Sequence, residues 1–138
     1  MKSLNDCFEL GYLKKIVPNK ASADRSMMLS QKKLDAAELI LGQGVFDFSL
    51  IASYTAMFHA ARAILYRDGV KERSHECIPI YIAGKYPELR SYANLLDSYR
   101  TYRHEAIYGL DVAITKADAE TALLEAKRFL EKMKSLLG

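Results

Sequence analysis

The segment IASYTAMFHAARAILY, residues 51–66, decides the fold class of this chain. It has a helical pattern crowded with small side chains, which let neighbouring helices approach closely. Tyr54, His59 and Arg62 interrupt the apolar run, and burying such polar groups without partners is costly. The segment therefore predicts a tightly packed helical bundle with polar groups near its core or at an interface.

The length and composition of the whole chain predict one ordinary soluble domain spanning residues 1–138. The chain is 50% hydrophobic and 27% charged, with a formal net charge of +3 that permits nucleic-acid binding without arguing for it. No uninterrupted apolar run approaches the ~18–20 residues that cross a bilayer, and the N-terminus lacks the apolar region of a signal peptide. These features predict a cytoplasmic protein without a membrane segment.

The few cysteines and histidines do not form a metal-binding pattern. Cys7 and Cys77 are the only cysteines, and in a cytoplasmic chain they are expected to be free thiols. The three histidines are scattered along the sequence and do not have the spacing of a zinc site. We therefore expect neither a metal nor a cofactor.

Capping residues and helix stops predict helices along almost the whole chain, with no strand. A side-chain oxygen at a helix start satisfies a free backbone N–H, and glycine favours the left-handed backbone that ends many helices. The predicted helices are one from the Ser3 cap to about residue 16, one capped by Asn19 or Ser22 and ending at 42–44, one from Asp47 or Ser49 to 68–69, a short one over 75–82, a long one from Pro87 to 108–109, and a last one capped by Thr115. The fold class is therefore all-α, an antiparallel up-and-down bundle of four main helices with short extra helices.

The segment YRTYRHEAIY, residues 99–108, carries the candidate chemistry. On a helix Arg100, Arg103, His104 and Tyr108 fall within a broad common face at spacings of three and four residues. Arginine binds phosphate bidentately, and histidine can transfer a proton near neutral pH. The group predicts binding or cleavage of a phosphodiester; the competing interpretation is that the arginines only form ion pairs with acidic side chains.

The other two histidines have local structural interpretations. His59 lies on the small-residue face of its predicted helix, where a lone histidine is usually a hydrogen-bonded core residue. His75 follows Ser74 near the start of a predicted helix, so we interpret it as a loop or cap residue.

Three pieces of the sequence resemble the HEPN domain family, in particular its small stand-alone prokaryotic members. Residues 53–65 resemble the family's long helix, written aYyamFhaarAlL. Gly69-Val70 followed by Ser74-His75 resembles its G…ksH turn, and residues 103–108 resemble its R-x-x-A-x-Y segment. The resemblance covers the chain from about residue 36 to the end.

The resemblance implies an all-α up-and-down bundle that forms a homodimer. Many members of the family are similar to RNase toxins that pair with a small nucleotidyltransferase antitoxin, and their motif R-x(4–6)-H meets its copy in the dimer cleft. By this resemblance Arg103 is the arginine that contacts the scissile phosphate, with Arg100 beside it, and His104 is the polar residue after it. Tyr108 stands where the family has the histidine that takes part in acid–base transfer.

The sequence leaves three hypotheses for the function. In the first, the protein is the toxin-like partner of a nucleotidyltransferase and binds RNA or nucleotide phosphate in a dimer cleft, as a metal-independent endoribonuclease with Arg103, His104 and Tyr108 as catalytic residues. In the second, it is a non-catalytic nucleotide- or protein-binding module, and Tyr108 marks the loss of catalysis, because an unperturbed tyrosine is a poor base at neutral pH. In the third, the basic cluster is purely structural.

Overall fold

The computed structural model describes residues 2–138 and confirms an all-α fold. Four long helices form the body of the protein, with two short helices, a 3-10 turn and a small two-stranded antiparallel sheet around them. The elements are α1 (Leu4–Glu9), β1 (Leu13–Lys15), α2 (Lys20–Gly42), α3 (Phe46–Asp68), β2 (Val70–Glu72), α4 (Cys77–Lys85), a 3-10 turn (Pro87–Leu89), α5 (Arg90–Tyr108) and α6 (Lys116–Leu137).

Contacts between the long helices give the up-and-down order. Ser26, in the first part of α2, donates to the carbonyl of His59 in the second half of α3. Ser49, near the start of α3, donates to the carbonyl of Ala37, near the end of α2. Helices α2 and α3 are therefore antiparallel. Helix α6 is antiparallel to α2 in the same way. Its Lys127 contacts Glu38 and its Lys134 contacts Gln31.

Helix α5 completes the order. Its Tyr99 donates to Glu125 of α6, and its Tyr92 ring lies against Phe129 four residues further along α6. The numbering therefore runs in opposite directions on the two helices, as antiparallel packing requires. The four long helices alternate in direction along the chain, as an up-and-down bundle does.

The centre of the core is α3. Its alanines 56, 60, 61 and 63 are fully buried, and α2, α5 and α6 all pack against it. By length and composition this helix is apolar enough to cross a membrane, but most of its apolar stretch is buried inside the protein. It also carries Arg62, Arg67 and Asp68 on partly buried positions. These features are typical of the central helix of a helical bundle.

The predicted caps are confirmed in three helices. Ser3 with Asp6 and Thr115 with Asp118 each form a reciprocal capping box. Asn19 accepts a hydrogen bond from the backbone of Ser22 at the start of α2. These starts depend on side-chain oxygens within three residues of the backbone they satisfy, so the local sequence is sufficient to specify them.

The first predicted helix is wrong beyond residue 9. Helix α1 ends at Glu9, Gly11 adopts a left-handed backbone, and β1 follows where helix was expected. Strand β1 pairs antiparallel with β2, with Leu13 opposite Glu72 and Lys15 opposite Val70. Each strand has three residues, too few to show the alternation by which a strand is recognised in a sequence.

The prediction of two free thiols is also wrong. The Cys7 and Cys77 sulfurs form a disulfide that joins α1 to α4, with the Cα atoms 6.0 Å apart. Both residues are fully buried, and α1 packs directly on α4. The sequence separation of 70 hides this proximity, because α2 and α3, which fold back on each other, lie between the two cysteines in the chain.

Gly69 offers a test of the turn between α3 and β2. It ends α3 with φ of 86°, and a Cβ at this position would lie 2.6 Å from the carbonyl oxygen of Ile16. Gly44, between α2 and α3, has φ of 79° and no atom within 4 Å of the corresponding position. The two glycines therefore have the same backbone conformation and differ in the space around them.

We expect Gly69→Ala to lower the free energy of unfolding by about 3 kcal/mol, from left-handed strain plus steric overlap. The matched variant Gly44→Ala has the strain alone and should cost about 1 kcal/mol. Urea unfolding followed by circular dichroism measures both. Equal losses in the two variants would contradict the close approach of Gly69 to Ile16.

Candidate functional site

Arg103 of α5 lies on the ring of a buried tyrosine from α3. Its guanidinium carbon is 5.2 Å from the centroid of Tyr54, a cation–π contact. The Arg103 Nε is buried and has no hydrogen-bond partner, and among residues 2–138 no carboxylate lies within ion-pair distance of Arg103. A partly buried guanidinium without an acid is costly in isolation, so this side chain is suited to receive an anion.

Arg100 lies one turn before Arg103 on α5. Its Nε is 2.9 Å from Asp97 Oδ1, and the two side chains are 30% and 50% exposed. The structural interpretation, in which the arginines pair with acids, is thus correct for Arg100 and not for Arg103. An exposed pair of this kind contributes little to stability, so Arg100 can exchange its partner at low cost.

His75 is held at the same place by two aromatic side chains of α3. Its Nδ1 lies 2.9 Å from the Tyr54 hydroxyl, and its ring stacks on Phe58 with centroids 4.2 Å apart and an interplanar angle of 18°. His75 lies in the turn between β2 and α4 and is solvent-exposed. Tyr54 thus contacts the imidazole through its hydroxyl and Arg103 through its ring face.

The electrostatics of this cluster keep its groups neutral except for the arginines. Burial raises the pKa of Tyr54 to about 12, and the charges of Arg103 and Arg100 oppose that rise. Burial also lowers the pKa of His75 from its ordinary value, and Arg103, Arg100 and Arg62 lower it further. His75 is therefore mainly unprotonated at neutral pH, with a nitrogen able to accept a proton.

The structure divides the four residues that the sequence grouped on one face. The charges of Arg100 and Arg103 influence the pKa values of Tyr54 and His75. His104 and Tyr108 instead contact each other, with ring centroids 4.8 Å apart. Tyr108 is 68% exposed and His104 is also exposed. Five residues correspond to about 140° around a regular helix, so Arg103 and Tyr108 project in different directions. The catalytic roles assigned to His104 and Tyr108 stay predictions.

His59 and Arg62 lie apart from this cluster in the interpretation of the site, because the contacts of Arg62 join elements of the fold. Arg62 Nε lies 2.5 Å from Glu72 Oε1, and its Nη2 donates to the Tyr66 hydroxyl at 2.6 Å. The contact with Glu72 joins α3 to β2. Burial, together with the charge of Arg62, lowers the pKa of His59 to about 4. His59 is thus a neutral, partly buried residue at physiological pH.

Sequence reasoning missed Tyr54 and His75 as members of the cluster. They are 21 residues apart in sequence and lie 49 and 28 residues before Arg103, so no helical spacing relates them. The available signal was the resemblance of Ser74-His75 to a family turn, which marked the histidine without saying what it contacts.

Comparison with known protein families agrees with this fold. A family model described as "HEPN domain" matches residues 25–136, which is most of the chain. The chain belongs to the HEPN domain family. The match begins inside α2, so α1 and β1 lie outside the part of this HEPN protein that the family model describes.

Three curated proteins are similar to this HEPN protein. Two come from Methanocaldococcus jannaschii and both carry the name "putative toxin". One is 26% identical over 86% of this chain and 83% of its own length, and the other is 22% identical over 79% and 84%. The third, a UPF0332 protein of Gloeobacter violaceus, is 27% identical over 74% of this chain and 85% of its own length. The family and these names support a toxin-like HEPN protein.

The histidine environments predict distinct titrations in NMR spectra of the folded protein. We expect His59 to titrate at about pH 4 and His75 below the ordinary value of 6.5. Arg103→Ala should raise the pKa of His75, because removing a nearby positive charge makes protonation of the imidazole less unfavourable. Arg128→Ala, which removes an exposed arginine from α6, is the control and should leave the His75 titration unchanged. An unchanged His75 titration in Arg103→Ala would contradict the proximity of these two side chains.

Proposed function

We propose that this HEPN protein is the toxin-like component of a two-protein pair and acts on RNA, whose phosphate binds at Arg103 and Arg100. The observation that carries the proposal is the Arg103 guanidinium, which lies on Tyr54 with its Nε buried and without an acidic partner among residues 2–138. A guanidinium presents its donors in a planar fork that matches two oxygens of a phosphate. A phosphate at this position would offset the positive charge of Arg103 and would accept hydrogen bonds from those guanidinium N–H groups that reach solvent.

Arg100 strengthens the proposed site. Arg100 lies one turn before Arg103 on α5, and its charge, like that of Arg103, lowers the pKa of His75 and opposes the rise in the pKa of Tyr54. Asp97 binds Arg100 through a single exposed pair. Screening weakens such a pair, whereas a phosphodiester held by two arginines forms charge-assisted hydrogen bonds with both.

The activity that we propose is metal-independent endoribonuclease cleavage. In such a reaction the ribose 2′-hydroxyl attacks the adjacent phosphorus, and negative charge develops on the phosphate oxygens. Cations fixed beside those oxygens stabilise the transition state more than the ground state. Arg103 is suited to this role because packing on Tyr54 restricts its orientation before RNA binds.

The partners that we propose are a second copy of the chain and a nucleotidyltransferase antitoxin, with RNA in the dimer cleft. Support comes from the end of α5 and the loop after it, where apolar side chains are exposed. Ile107 is 45% exposed, Tyr108 68% and Leu110 98%. Exposed apolar residues grouped along a surface mark protein interfaces more often than isolated ones do. The toxin names of the two archaeal relatives are consistent with an antitoxin as partner.

The second candidate is a non-catalytic nucleotide- or protein-binding module. One observation favours it: Tyr108, at the position of the family histidine, contacts His104 and faces solvent, whereas Arg103 lies on Tyr54. In that case the arginines bind a phosphate and no group transfers a proton. Cleavage and binding must therefore be measured separately.

The first test is cleavage of a mixed RNA substrate in EDTA. We expect the wild-type protein to cleave and Arg103→Ala to be at least about 100-fold slower, the size of effect seen when one transition-state donor is removed. Arg128→Ala, a loss of the same charge on the exposed face of α6, should keep wild-type activity. Equal background cleavage by wild type and Arg103→Ala, with RNA binding lost only in Arg103→Ala, would favour the binding module.

The proposed dimer is tested at Leu110. Leu110→Asp should shift the protein from dimer to monomer, because a buried unpaired carboxylate at an interface costs several kcal/mol. Light scattering after size-exclusion chromatography measures the mass. Val17→Asp is the control, since Val17 is also highly exposed and lies in the connection between β1 and α2. A monomeric wild type, or a dimer that tolerates Leu110→Asp, would contradict this interface.

A further inference from the structure

We propose that His75 is the proton-transfer residue of the site formed by Arg100 and Arg103. This inference rests on the proposed RNA cleavage and gives His75 the role that the resemblance gives to the position of Tyr108. The fold brings His75, from a turn outside α5, to the hydroxyl of Tyr54, and Arg103 lies on the ring of the same tyrosine.

Tyr54 fixes the geometry of the proposed pair. Its side chain is fully buried, its hydroxyl is 2.9 Å from His75 Nδ1, and its ring centroid is 5.2 Å from the Arg103 guanidinium carbon. The imidazole and the guanidinium therefore both contact one buried side chain. Phe58 stacks on the imidazole ring, and this contact restricts the rotation of the ring.

The hydrogen bond to Tyr54 leaves one imidazole nitrogen for a ligand. The bond is compatible with either tautomer of His75, and the proposed reaction uses the one in which Nδ1–H donates to the Tyr54 oxygen and the lone pair of Nε2 is free; His75 is exposed to solvent. An orienting group on one ring nitrogen and a reacting group on the other is the usual arrangement of a catalytic histidine. Tyr54 is thus a positioning residue, and His75 is the group that touches the substrate.

The proton accounting of the step is complete without a cofactor. Nε2 of neutral His75 takes the proton of the ribose 2′-hydroxyl, the O2′–P bond forms, and the P–O5′ bond breaks. The leaving O5′ takes a proton from solvent water, and the imidazolium returns its proton to solvent. One proton is transferred in net terms from O2′ to O5′, and no atom changes oxidation state.

The positive charges around His75 favour its action as a base only when a phosphate is bound. The charges of Arg103, Arg100 and Arg62 lower the pKa of His75, and the neighbouring Tyr54 is neutral. These three cations oppose formation of an imidazolium in the free protein. A phosphate between the arginines and the imidazole would offset them, because its negative charge stabilises the imidazolium that the reaction forms.

The test compares His75→Ala with wild type and Arg103→Ala, in EDTA, by cleavage of RNA and by binding of a 2′-O-methyl RNA of the same sequence. We expect His75→Ala to cleave about 100-fold or more slowly, the usual contribution of a general base, and to bind the 2′-O-methyl RNA as wild type does. Added imidazole should restore cleavage by His75→Ala and leave Arg103→Ala inactive. Tyr54→Phe should retain cleavage with a shifted pH–rate profile, since the imidazole loses its orienting hydroxyl.

The outcomes separate the inference from the proposed function. Cleavage by wild type that is lost in Arg103→Ala but kept in His75→Ala would overturn the role of His75 alone. Binding without cleavage by wild type would also overturn it and would favour the binding module, whereas neither binding nor cleavage would overturn both proposals. If His75→Ala does not fold, His75→Asn decides, because its amide can still bond the Tyr54 hydroxyl but cannot accept a proton near neutral pH.

Discussion

The close approach of α2 and α3 is the constraint on which the rest of the structure depends. Alanines on α3 leave room for the α2 backbone, and serine hydroxyls bridge the two helices. Ser30 is fully buried and donates to the carbonyl of Ala56 at 2.5 Å, and Ser26 and Ser49 make equivalent bonds on either side. Buried hydroxyls are tolerated only when they are paired, so these bonds fix the register of the two helices as well as their spacing.

This packing sets the position of the candidate site. With α3 held between α2 and α6, Tyr54 has a single place in the core, and both His75 and Arg103 are arranged around it. The turn that carries His75 is in turn tied to α3 by the contact between Arg62 and Glu72 of β2. The site therefore depends on interactions in the core, although the groups that would meet a ligand are at the surface.

The sequence predicted the parts of the structure that local rules determine. The capping boxes at Ser3 and Thr115 and the left-handed end of α3 at Gly69 involve residues within one turn of each other, and all three are as expected. The four-helix order also followed from the caps and the apolar pattern. The sequence did not predict the strand at residues 13–15, because the stability of this strand comes from pairing with β2, more than fifty residues later.

The candidate site was predictable only in part for the same reason. Helical spacing grouped Arg100 and Arg103 correctly, since neighbours on one face of α5 remain neighbours in the fold. It could not separate them from His104 and Tyr108, because which side of α5 meets α3 is a property of the packing. The contact of Arg103 with Tyr54, and that of Tyr54 with His75, join three different elements, and no spacing rule covers such a group.

The disulfide between Cys7 and Cys77 divides the chain into a covalently closed part and an open part, a division that the packing of the four helices does not show. It closes a covalent ring that contains α2, α3 and the turn with His75, while α5 and α6 lie on the linear tail that follows. Tyr54 and His75 therefore belong to the ring, and Arg100 and Arg103 belong to the tail. A chain cut after residue 85 would contain Tyr54 and His75, which belong to the ring, but would lack Arg100 and Arg103, which belong to α5. The site is thus a junction between two topologically distinct parts of one chain, and it exists only when the tail is docked on the ring.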